Sequence, residues 1–141
     1  MSSDNPSIPG LSDDDGTFIE GVLDLAREGR TGPLLEMIRS GVPVNLSNAR
    51  GDTALILAAY HQHVDTVGAL LDAVADTGRI NAMGQTALSA AVFRNSKPIV
   101  RTLLDAGANP SLGAHTAMEI ARQFGLTEMQ KLLEEHAEGR G

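Results

Sequence analysis

The sequence predicts a solenoid, one supersecondary unit stacked on copies of itself, and three observations carry that prediction. The stretch Gly51-Asp52-Thr53-Ala54-Leu55-Ile56-Leu57-Ala58-Ala59-Tyr60 returns 33 residues later as Gly84-Gln85-Thr86-Ala87-Leu88-Ser89-Ala90-Ala91-Val92-Phe93. A third copy, His115-Thr116-Ala117-Met118-Glu119-Ile120-Ala121, follows at a shorter interval. Each of the first two copies leads into a second apolar pattern, His63-x-x-x-Val67-x-x-Leu70-Leu71 and then Ile99-Val100-x-x-Leu103-Leu104. A fixed period of this length marks a repeated unit. A unit so small cannot bury its apolar face alone, so neighbouring units must cover it.

The pattern Gly-x-Thr-x-Leu-x-x-Ala-Ala, completed by Leu103-Leu104-Asp105-Ala106-Gly107-Ala108-Asn109, resembles the ankyrin repeat. The resemblance covers about residues 17–136. It implies an all-α fold, an ankyrin-repeat solenoid of stacked helix-turn-helix units with short β-turn fingers, and about eight helices in antiparallel pairs. It also implies a noncatalytic binding protein, without naming the partner.

The elements follow in order. Residues 1–11 mix Ser, Pro, Asn and Gly and read as a disordered N-terminal tail. Ser12-Asp13-Asp14-Asp15 supplies a polar cap and acids for the positive end of a helix dipole. Phe18, Ile19, Val22, Leu23 and Ala26 then fall at helical spacing. A first repeat at 12–47 has helices near 12–28 and 32–40, with Glu20 where Thr53 would be, as suits a cap with nothing before it.

Repeats at 48–80 and 81–110 start from Asn48 and Asn81, which stand where the family usually has Asp closing the turn. Thr53 and Thr86 are placed to cap the first helix of each. The fourth repeat, 111–136, is three residues short between Gly107 and Gly113, so a tight turn is expected there instead of a full finger. In it Arg122, Gln130 and Glu134 replace apolar residues of earlier units, so the stack ends with a wet outer face. Residues 137–141 are expected to be a C-terminal tail. The helix-to-helix turn of the family uses a positive φ, kept by Gly29 and Gly125 and tolerated by Asn95, whereas Gln62 is less suited. Val74 stands where Gly41 and Gly107 sit, so the loop at 73–79 is expected to deviate from the others.

Composition narrows the function. The 141 residues carry a net charge of −7, with 42% hydrophobic residues and only 3% aromatic. A chain of this charge without a basic run is a poor match for nucleic acid. No apolar stretch is long enough to span a membrane, and the start lacks a signal peptide's basic and apolar regions. A cytoplasmic location is expected. The chain has no Cys, and so no disulfide or thiol chemistry. Nine Arg against two Lys, with abundant Ala and Gly, suggest a GC-rich bacterial source.

No catalytic constellation emerges. There is no Gly-rich phosphate loop, no G-x-S-x-G and no H-E-x-x-H. His61 and His63 with Asp65 resemble a metal site on the surface, but residues two apart on a helix do not face each other, and zinc needs three or four converging ligands. His63 instead falls where the family places a structural His opening the second helix. No metal and no cofactor are expected, and the protein is expected not to be an enzyme.

The informative constellation is a surface one. By the resemblance, the end of each first helix faces the concave side of the stack. Those positions hold Arg27 and Glu28, Tyr60 and His61, Phe93 and Arg94, then Gln123 and Phe124. Three of the chain's four aromatics lie in this column. Tyr, Phe and Arg are enriched at interfaces. The finger tips add Arg50, Asp52, Met83 and Gln85, and His115 marks the shortened end. Arg27, Arg50 and Arg94 are expected to form a cationic strip, unless they pair with Glu28 and Asp52. The first reading is thus a module holding a protein partner in the groove. The alternatives are a regulatory or stabilising subunit of a specific enzyme, such as a bacterial stress-related one, and a self-associating structural protein. A monomer is expected, although the charge does not forbid a dimer.

Overall fold

The computed structural model describes residues 13–140. The tail expected at 1–11 and the cap expected at Ser12 lie outside them. Among the described residues there are eight helices: α1 Asp13–Arg27, α2 Thr31–Arg39, α3 Ala54–Tyr60, α4 Val64–Asp72, α5 Ala87–Phe93, α6 Lys97–Asp105, α7 Ala117–Gln123 and α8 Thr127–Arg140. They form four helix pairs in two rows. Helices α1, α3, α5 and α7 pack in sequence along one row, and α2, α4, α6 and α8 along the other.

Each short first helix starts because a threonine satisfies a free backbone donor. Thr53 Oγ1 accepts from Ile56 N at 3.2 Å, Thr86 Oγ1 from Ser89 N at 3.0 Å, and Thr116 Oγ1 from Glu119 N at 3.2 Å. Ser89 and Glu119 return a bond to the cap backbone, which closes the reciprocal capping box. The first-helix row is knit by small residues: Ala26, Ala58, Ala59, Ala90, Ala91 and Ala121 are all fully buried. Leu55, Leu88, Leu70 and Leu103 fill the space between the rows.

The turn inside each of the four pairs takes the left-handed conformation at one residue, with φ of 72° at Gly29, 64° at Gln62, 57° at Asn95 and 65° at Gly125. The second left-handed position, after the second helix, holds Gly41, Val74 and Gly107. Here one expectation is corrected. Val74 keeps the path of its glycine counterparts, with φ of 66°. Val74 N bonds Leu71 O at 2.9 Å and Ala75 N bonds Leu70 O at 3.0 Å, just as Gly107 and Ala108 bond Leu104 and Leu103. The stack over-determines the path, and the valine side chain, 81% exposed, meets nothing that would push it off.

The fingers share one device. Asn48 Oδ1 accepts from Arg50 N and Asp52 N at 2.9 and 3.1 Å, and Asn81 Oδ1 accepts from Met83 N and Gln85 N at 3.0 and 2.9 Å. Successive fingers are tied by Ala82 N to Arg50 O at 2.8 Å and by Ala114 N to Gly84 O at 2.9 Å. In the shortened unit Asn109 Oδ1 accepts only from Ser111 N, at 2.9 Å, and Leu112 N bonds Asn109 O in a tight turn.

At the far end Arg122 and Glu134 are exposed and Gln130 is half-buried, while Ala121, Met129 and Leu133 are buried on the inner side. The expected C-terminal tail at 137–141 needs correction: α8 runs on to Arg140. Leu132, Leu133, Glu134, Glu135 and Ala137 are good helix formers.

Candidate functional site

The site is built where the C-terminal ends of the first helices meet the fingers. Because α3, α5 and α7 lie side by side, the residues closing them form a ladder. The Tyr60 and Phe93 rings stack with centroids 6.2 Å apart and 11° between planes. Phe93 meets Phe124 edge-on at 5.6 Å and 79°. His61 stands edge-on to Tyr60 at 5.1 Å, and the Arg94 guanidinium carbon lies 5.1 Å from the Tyr60 ring centre. Such pairs are worth about 0.5–1.5 kcal/mol beyond area burial, yet Phe93 stays 44% and Phe124 53% exposed. Packing within the ladder leaves about half of these two rings in water.

Two apolar cavities of about 260 Å³ each flank the Met83–Gln85 finger. One brings Met83, Gln85, Phe93, His115, Gln123 and Phe124 together, with Gly84, Ser89 and Ile120 in its wall. The other gathers Arg50, Asp52, Tyr60, His61, Met83 and Gln85, with Ile56, Leu57 and Asn81. Met83 and Gln85 line both, and Met83 is 75% exposed. Leu57 and Ile120 escaped the sequence reading as lining residues, although the repeat register puts them in one column and so held the signal.

The expected cationic strip is corrected. Arg27 lines neither cavity. Its guanidinium is held by Glu20 at 2.9 Å and Asp24 at 2.5 Å, not by Glu28. Burial alone would lower its pKa, but hydrogen bonds and charge from these two acids outweigh that and raise it. Arg50 Nε lies 3.3 Å from Asp52, and its NH2 group 3.8 Å from Glu20. Glu20 also accepts from Asn48 Nδ2 at 2.9 Å, and Asn81 Nδ2 donates to Asp52 at 2.8 Å. The N-terminal half of the strip is therefore a neutralised network. Only Arg94 of the three pairs with no carboxylate among the described residues.

The two histidines differ. His63 Nε2 lies 2.7 Å from Arg27 O. A carbonyl only accepts, so this nitrogen carries the proton. His63 makes no cap bond to its own helix α4; it ties the first helix pair to the second. His61 is exposed, and its pKa is lowered by partial burial first and then by the charges of His63, Arg27 and Arg94. Its ring centre lies 6.5 Å from that of His63. No group of three or more His, Cys, Asp and Glu suited to a metal occurs among the described residues, nor is any helix among them long and apolar enough to cross a membrane.

Comparison with known proteins completes the picture. Residues 24–114 match the family described as ankyrin repeats (3 copies). An ankyrin repeat protein of Pseudomonas aeruginosa is 42% identical over 65 residues, which cover 46% of this chain and 37% of that relative. The match thus spans little more than a third of the relative's length. Its bacterial source agrees with the Arg-rich composition noted above.

Proposed function

The chain belongs to the ankyrin repeat family, and we propose from this premise that it is a noncatalytic module holding a protein partner in the groove between its fingers and first helices. Ankyrin repeats generally mediate protein–protein interaction and are generally not enzymes. The observation that carries the assignment to this face is the ladder Tyr60–Phe93–Phe124, whose two phenylalanines are about half exposed and which is bordered by two apolar cavities.

Cavities of about 260 Å³ fall below the ~300–1,000 Å³ of small-molecule sites and suit single side chains of a partner. The ladder is preorganised, so little ordering entropy opposes docking. In this reading Met83, Gln85, His115 and Gln123 contact the partner around the first cavity. Arg50, Asp52 and His61 do so around the second, and Arg94 does so from its place over the Tyr60 ring. Arg27 acts through its network instead of by contact.

The test uses the chain as bait in cross-linking capture, with proteins identified by mass spectrometry. A variant with Tyr60, Phe93 and Phe124 all replaced by Ala should lose the partner while keeping its helical circular dichroism. Undiminished capture by that variant overturns the proposal.

A further inference from the structure

Resting on the reading of the groove as a protein-binding surface, we infer that its occupant is an extended segment carrying a carboxylate side chain beside an apolar one. The carboxylate pairs with Arg94, and the apolar side chain fills the cavity walled by Met83, Phe93, Ile120 and Phe124.

Charge placement carries the first half. Arg27 and Arg50 are neutralised by Glu20, Asp24 and Asp52. Arg94 closes α5 and is held over the face of Tyr60, 5.1 Å from its centre. A guanidinium against a ring still has N–H groups to offer a carboxylate, the partner its fork geometry matches in bidentate fashion. The ring contact limits the side chain's freedom, so pairing costs less rotamer entropy.

The second half follows from the ladder. Arg94 lies 5.1 Å from the centre of the Tyr60 ring, Tyr60 stacks on Phe93 at 6.2 Å, and Phe93 lines the cavity, so one short stretch of partner serves both. At about 3.3 Å per extended residue, the two side chains stand within about three residues of each other. A basic segment would be drawn by the body of the protein and rejected at Arg94.

The experiment is selection from a phage library of random dodecapeptides on the full chain. Synthetic copies of the winners are then titrated against the unaltered protein, Phe93→Ala, Arg94→Gln and Arg94→Glu, each checked for helical circular dichroism. Winners should carry Asp or Glu within about three residues of Leu, Ile, Met or Phe. Affinity should fall about fivefold on Arg94→Gln and at least about tenfold on Arg94→Glu, and added salt should weaken the unaltered complex alone. Winners without acids, winners indifferent to both Arg94 variants, or no winners above the bare support overturn the inference. Sensitivity to Phe93→Ala without sensitivity at Arg94 removes the carboxylate and keeps the groove. Indifference to all three variants removes the groove reading itself.

Discussion

His63 rests on the bare backbone of Gly29. A Cβ built on Gly29 would lie 2.5 Å from His63 Nδ1 and 2.8 Å from its Cγ. The same glycine turns the chain with φ of 72°. The junction between the first and second helix pairs therefore depends on a residue without a side chain, which lets the His63 ring reach Arg27 O. Gly29→Ala combines steric contact with left-handed strain and should destabilise by about 1–3 kcal/mol. Urea unfolding reads this directly; an unchanged midpoint would show that the histidine can move aside at no cost.

Val74 makes the opposite case. A β-branched residue at φ of 66° with its side chain in solvent stores strain and gains no packing. Val74→Gly relieves that strain, offset by the ~0.5–1 kcal/mol entropy cost of glycine, and should stabilise by about 1 kcal/mol. A lower melting temperature for Val74→Gly would mean that the valine makes contacts with a stabilising role of their own.

The lowered pKa of His61 sets a sign for pH dependence. Its folded-state pKa lies below the ordinary 6.5. As pH falls through 6.5, the unfolded chain takes up the proton before the folded one, and stability decreases until the folded-state pKa is passed. Above 6.5 the group contributes no slope. His61→Gln should flatten the fall in melting temperature between about pH 7 and 5. A steeper fall in the variant would reverse the sign and require a nearby acid.

Ala91 is fully buried in the row of first helices, where α5 packs between α3 and α7. Ala91→Leu adds volume that the row can accept only by spreading, and should cost about 1–3 kcal/mol. Wild-type stability would mean the helices have room to part.

What the sequence made legible was what the repeat register controls. Thr53 and Thr86 cap as expected because the same position recurs in the same local geometry. Asn95 and Gln62 take up the positive φ for the same reason. The stacking of Tyr60 on Phe93 follows from 33-residue spacing once the units pack side by side. Features that do not recur from unit to unit were hidden. Arg27 turned to Glu20 and Asp24, seven and three residues upstream on its own helix α1, at register positions where the second repeat carries Thr53 and Leu57. Val74 followed its glycine counterparts because neighbouring units fixed the backbone, a tertiary constraint that local propensity does not contain.

The most direct test of the central claim is a binding titration against the captured partner with two single substitutions on opposite faces. Phe93 stands in the groove ladder, and Arg101 is exposed on α6 in the second-helix row. Phe93→Ala should weaken binding at least about tenfold, and Arg101→Ala should change it less than about twofold. The reverse ranking, with Arg101→Ala the damaging change, would place the partner on the second helices and contradict the groove as the binding surface.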